Sequence, residues 1–264
     1  MNIVPLALYA AAFIGYALHF ARRTPVSARL ATTMLAAATL AHTFIIGMRT
    51  MEVGQVPVFD ATSAISMFVW LLAVAYLYTE VTTDERAMGV FILPLILALQ
   101  AIPAFKAAGA PSSVLRGPVF GIHVSSLLFA YASFALACVI GITYGLLFKE
   151  IKTKHLGVFY ARLPSLQVLD QMNQRAIVVG WVFLTIGLVA GVMFAAQSQA
   201  PALSLEDPKI IVALISWAVY SFELFAARRI GWAGRKSAYL STLGFAVVLM
   251  NFVLVSYLTS SHRF

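Results

Sequence analysis

Charge is what this chain has least of. Only 11% of its 264 residues are Asp, Glu, Lys or Arg, against about 25% in an ordinary soluble domain. Hydrophobic residues make up 61% and the mean hydropathy is +0.90. A soluble fold could not cover a core this large with so few charges, so lipid must take part of the surface. Cysteine is nearly absent too. The single Cys138 lies inside an apolar run, which excludes an internal disulfide and any Cys-x-x-Cys thiol exchange. Phosphate loops, zinc-protease motifs and nucleophile elbows are missing, as are internal repeats, a soluble domain and low-complexity tracts. The start of the chain has no basic stretch ahead of its first apolar run, and Arg22 and Arg23 follow that run, so it reads as a retained span and not a cleaved signal.

What the chain does have is a series of apolar runs of the length a bilayer demands, about 20 residues each. Eight are predicted, near 2–20, 28–48, 61–79, 87–105, 119–148, 175–196, 208–227 and 237–258. Arg22-Arg23-Thr24-Pro25, Gly54-Gln55-Val56-Pro57, Gly109-Ala110-Pro111-Ser112 and Asp207-Pro208 punctuate them. The expected fold class is all-α: one polytopic transmembrane bundle over residues 1–264, multi-pass in a cell membrane (inner or plasma), with membrane lipid as its first partner.

The net charge of +8 does not indicate nucleic acid, because the basic residues sit in short clusters between apolar runs. With an extracytoplasmic N-terminus, the cytoplasmic loops would hold Arg22, Arg23, Arg29, Arg86, Lys149, Lys152, Lys154, Arg162, Arg175, Arg228, Arg229, Arg235 and Lys236. That is 13 of the 18 basic residues, leaving Arg49, Lys106, Arg116, Lys209 and Arg263 outside. The positive-inside rule therefore puts both termini outside. The longest cytoplasmic loop is then 149–174. Its Leu156, Phe159, Tyr160, Leu163, Leu166, Leu169 and Met172 mix with Lys152, Lys154 and Arg162, which predicts an interfacial amphipathic helix broken at Pro164 or a surface for a docking partner.

Polar groups inside spans are costly, so each needs a reason. The topology places His42, His123 and His262 at a similar level on the outer side, as helix-end anchors or as ligands of one shared site; neutral imidazole binds metals and haem iron. His19 and His155 fall on the inner side and read as polar anchors. Asp60 and Asp207 read as helix N-caps, the latter before Pro208. Glu223, in the seventh span, is within reach of Arg228 or Arg229 or could relay a proton. Arg49, beside Glu52, and Arg116 lie at the outer mouth, either as headgroup-level charges or as partners for a carboxylate ligand. Few acids lie near the midplane, which argues against a small-solute permease.

Four segments together resemble the membrane cytochrome c assembly family, which includes the CcsA (ResC), CcmC and HemX-like proteins. They are His42-Thr43-Phe44-Ile45-Ile46-Gly47-Met48-Arg49 with Gly54 to Ala61; His123 to Ala132; Leu163-Pro164-Ser165-Leu166-Gln167-Val168-Leu169-Asp170 with Arg175-Ala176-Ile177 and Thr185-Ile186-Gly187; and Asp207-Pro208-Lys209 through Ile215-Ser216-Trp217 and Tyr220 to Gly231-Trp232-Ala233-Gly234-Arg235-Lys236. The resemblance spans about residues 40–262 and is carried by the ordered set. It implies a haem-handling membrane protein at the extracytoplasmic face, without enzymatic turnover, with haem b as cofactor. His123 and His262 would hold the haem iron, His42 would match the span histidine, and Arg49 or Arg116 would pair with a propionate. Protein partners would come from cytochrome c assembly or haem biosynthesis. Residues 197–206 carry none of the tryptophans that precede the family's Asp-Pro, so the resemblance is strongest to the short HemX-like branch. That branch implies an alternative role, docking a haem-biosynthesis enzyme through loop 149–174.

Overall fold

The computed structural model describes residues 3–58, 60–106, 109, 117–197 and 208–260. The described residues form helices and turns. The long helices are α1 (Ile3–Arg22), α2 (Pro25–Val53), α3 (Ala61–Thr83), α4 (Gly89–Phe105), α5 (Pro118–Thr153), α7 (Leu166–Gln197), α8 (Pro208–Phe225) and α9 (Arg235–Ser260), with the single-turn α6 (Val158–Arg162) between α5 and α7. The eight long helices coincide with the eight expected apolar runs. Six are long and apolar enough to cross a bilayer by length and composition, counting α8 together with the π-helical turn Ala226–Ile230 that continues it, and α4 is a shorter apolar helix.

Local sequence sets the helix ends. Thr24 caps α2 by accepting from Ser27 N–H, with Pro25 in the first turn. Asp60 caps α3 as expected, accepting from the backbone N–H of Thr62 and Ser63 at 3.1 and 3.3 Å. Gly54 closes α2 in the left-handed conformation at φ 72°.

The turns at 23–24, 84–88 and 154–165 share the lining of one pocket, and the Gly234 N–H of the turn at 231–234 donates to Asp170 near the start of α7, so these turns gather at one end of the bundle. Most of the basic residues collect there. Arg23 donates to the Arg162 carbonyl, joining the first and third of these turns, and Arg175 of α7 donates to the Thr82 carbonyl of α3. The core runs through α5, which packs along α7 and against α3 and α9. Phe134 of α5 stacks on Tyr220 of α8 at 3.6 Å between centroids, and Phe129 meets Phe183 of α7 at 4.4 Å. Such ring pairs add about 0.5–1.5 kcal/mol each beyond the area they bury.

Two expectations are corrected. The helix expected over 149–174 is broken at Pro164 as the sequence indicated, but its two arms are mostly the ends of α5 and α7 and not a separate interfacial helix. The α-helical hydrogen bonding of α5 continues to Thr153 and stops at Lys154 in the left-handed region (φ 56°). After the five residues of α6, the chain breaks at Leu163-Pro164-Ser165, as the proline requires. Leu169 and Met172 then turn into the core as the first turns of α7. Helices of 36 and 32 residues span about 50 Å, well beyond the roughly 30 Å of bilayer hydrocarbon. They have absorbed both ends of the loop. Second, Glu223 does not pair with Arg228 or Arg229. It is buried and accepts from the Ser237 hydroxyl at 3.0 Å, while both arginines line a groove between α7 and α8.

Candidate functional site

His42 is fully buried where α2 meets α1 and α3. Its Nδ1 is hydrogen-bonded to the Tyr9 hydroxyl at 3.2 Å and its Nε2 to the Ser66 hydroxyl at 3.0 Å. The Tyr9 ring meets it edge-on at 5.8 Å. A neutral imidazole offers one donor and one acceptor, and here both are used. Two turns further along α2, Arg49 is half-buried in a narrow cleft with Pro57, Ser63, Ser66 and Met67. Ser66 thus joins the histidine to the arginine's cleft.

His123 lies in the second turn of α5 and is half-buried against α7. Its Nδ1 is 2.7 Å from the Gly187 carbonyl oxygen. A carbonyl can only accept, so Nδ1 carries the proton and donates. In the neutral ring Nε2 is then the unprotonated nitrogen. Among the described residues it has no hydrogen-bond partner, and its lone pair is available to a metal. This is the arrangement of metal-ligating histidines, whose other ring N–H is anchored on a carbonyl or carboxylate. Gly191, one turn along α7, makes room for the ring: a Cβ there would come within 2.7 Å of Cε1 and Nδ1. The residues present therefore fit an iron-bound imidazole at His123 and a hydrogen-bonded structural imidazole at His42. Among the described residues the two histidines share no partner. The described residues hold no cluster of three or more His, Cys, Asp or Glu suited to a metal ion. His262, Arg116, Asp207 and the segment 198–206 lie outside the described residues.

The remaining histidines sit as helix-end anchors. The Nδ1 of His19 is 3.2 Å from the Ser27 hydroxyl, and exposed His155 donates Nδ1–H to the Thr153 carbonyl at 3.0 Å. At Asp60 burial raises the carboxyl. Hydrogen bonds from the Ser63 hydroxyl and from the N–H groups of Gly109, Ser63 and Thr62 outweigh that and hold it below the ordinary carboxylate range.

Sequence reasoning missed Glu80. It is fully buried near the end of α3. The Tyr16 hydroxyl of α1 donates to Oε2, and the Thr32 hydroxyl of α2 donates to Oε1. Arg86 donates Nε–H to the same Thr32 hydroxyl at 3.2 Å, and the Tyr76 hydroxyl donates to the Arg86 carbonyl. One carboxylate thus ties three spans together. A second polar cluster joins α7, α8 and α9 through Glu223, Asn173, Ser237 and Ser241.

Comparison with known proteins adds what the geometry cannot. The model of the Cytochrome C assembly protein family matches residues 3–262. Among curated proteins, the chain is 28% identical to the cytochrome c biogenesis protein CcsA of Guillardia theta, covering 86% of this chain and 81% of the relative. It is 24% identical to CcsA of Gloeobacter violaceus, covering 96% and 92%, and 25% identical to CcsA of Synechococcus elongatus, covering 87% and 85%. Those relatives carry the cytochrome c biogenesis name, and the docking alternative gains no support from them. Within 149–174 only the single turn α6 stands apart from the long helices α5 and α7. The match runs over almost the whole of a multi-pass helical membrane protein, and the chain belongs to the cytochrome c assembly protein family.

Proposed function

We propose that this protein handles haem at the extracytoplasmic face of the membrane during cytochrome c biogenesis, acting with protein partners and without catalytic turnover of its own. The observation that carries the reading is the state of His123: Nδ1 held as a donor by the Gly187 carbonyl, Nε2 left as a free lone pair. His123 and His262 would hold the iron of haem b, and Arg49 or Arg116 would pair with a propionate. Haem held there would be the intact group that an apocytochrome receives. The chain's own residues position the imidazole and keep its proton on Nδ1. Both termini would face outside, as the clustering of basic residues at the opposite end favours.

The test is an absorption spectrum of the full chain, made with ample haem and purified in mild detergent. A bis-histidine spectrum is expected. His123→Ala should abolish or strongly weaken it, and His155→Ala should leave it unchanged. Protein that carries no haem, or equal haem in both variants, would refute the proposal.

A further inference from the structure

Between α5 and α9, at the basic end of the bundle, lies a groove of about 370 Å³ that neither the haem reading nor the family membership uses. Two glycines shape it. Gly141 lets the helices touch: a Cβ there would come within 2.7 Å of the Ala238 carbonyl oxygen and 2.8 Å of the Thr242 hydroxyl. One turn on, Gly145 faces open space. The helices therefore meet at Gly141 and part below it. The wall of the gap is apolar, with Ile142, Leu146 and Phe148 from α5 and Tyr239 from α9.

The mouth of the gap is cationic. Lys149, Lys152 and Arg235 line it. Among the described residues none of the three makes an ion pair. Arg235 is held over the Phe148 ring at 5.5 Å. The acid next in sequence, Glu150, is turned away and accepts from the N–H groups of Gly157 and Tyr160. Three cations without an ion-pair partner among the described residues, above an apolar slot, complement a molecule with an anionic head and a hydrocarbon tail.

We propose that this groove binds an anionic phospholipid of the adjacent leaflet, with its phosphate headgroup on Lys149, Lys152 and Arg235 and an acyl chain along Gly145 between α5 and α9. The positive-inside rule asks only for basic residues at this end. It does not ask for a glycine-opened slot beneath three of them, which is how basic pockets between spans select anionic headgroups.

The full chain in detergent is titrated with phosphatidylglycerol, with phosphatidylcholine and with inorganic phosphate. Retained adducts are read by native mass spectrometry, and thermal stability is read in parallel. Phosphatidylglycerol should be retained in preference to phosphatidylcholine and should raise the melting temperature; inorganic phosphate should do neither. Replacing Lys149, Lys152 or Arg235 by Gln should weaken retention roughly fivefold per cation, the change that about 1 kcal/mol per basic residue produces. Gly145→Leu fills the slot, keeps every charge and should also lower retention. Replacing Arg228 and Arg229 by Gln, at the same end but outside the groove, should leave the preference intact. Equal retention of the two lipids, equal loss in the Arg228 and Arg229 variant, or equal stabilisation by inorganic phosphate would overturn the proposal. Lipid-free melting temperatures verify that each variant is folded.

Discussion

His42 and His123 are the same side chain in two opposite conditions. His42 is sealed between three helices with both nitrogens bonded to hydroxyls. His123 is half-buried with one nitrogen anchored on a carbonyl. The first arrangement uses all of the imidazole's hydrogen-bonding capacity on the fold. The second uses half and leaves Nε2 without a hydrogen-bond partner among the described residues.

Several variants would break or sharpen that contrast. His42→Ala should cost most. It opens a cavity and strips partners from the buried Tyr9 and Ser66 hydroxyls, a loss of about 3–4 kcal/mol, measurable as a lowered thermal midpoint in detergent. A stability unchanged by this substitution would mean that His42 is not structural. Gly191→Leu comes next. Its side chain must push into the His123 ring, with a packing cost of about 1–3 kcal/mol, and it should weaken the haem spectrum although every histidine is intact. Full haem loading in Gly191→Leu would remove the ring's position from the argument. His123→Ala should lower stability by only about 1 kcal/mol, the worth of one hydrogen bond, so its spectral loss and its melting temperature should separate where those of His42→Ala do not. Asp60→Ala should cost about 1 kcal/mol as a lost cap. Because the folded Asp60 carboxyl lies below its ordinary value of 3.8, the cap's pH-dependent contribution is complete above that value and is lost as the pH falls through the lower, folded one. Melting curves across that acid range should converge for wild type and Asp60→Ala.

The helices were legible because a bilayer leaves a chain few options: eight apolar runs became eight long helices, and Asp60, Pro25 and Gly54 marked their ends. The site was legible in one dimension only. Sequence placed His42 and His123 at a similar depth, but depth says nothing about which way a helix face turns, and one histidine points into α1 and α3 while the other leans on α7. Glu80 was missed because Thr82-Thr83-Asp84-Glu85-Arg86 follows it and makes the segment read as a solvated turn. Its donors come from residues 64 and 48 positions away, so no local pattern could reveal its burial. In the loop 149–174 the break at Pro164 was legible, but the owner of its helical turns was not. Its apolar residues do recur at helical spacing, but that spacing belongs to the ends of two long helices.

The Glu80 knot also bears on how the protein is made. Glu80 lies three residues from the end of α3, where an acid is penalised less than the about 2.5–3.5 kcal/mol of a helix centre, but its burial still calls for hydrogen-bond donors. Tyr16 and Thr32 precede Glu80 in the chain, so synthesis delivers both hydroxyls to the membrane before the carboxylate arrives. The third span then meets its hydrogen-bond donors as it leaves the translocon and does not have to wait in lipid for partners made later. Along the chain, the two helices that supply the donors precede the helix that carries the acceptor.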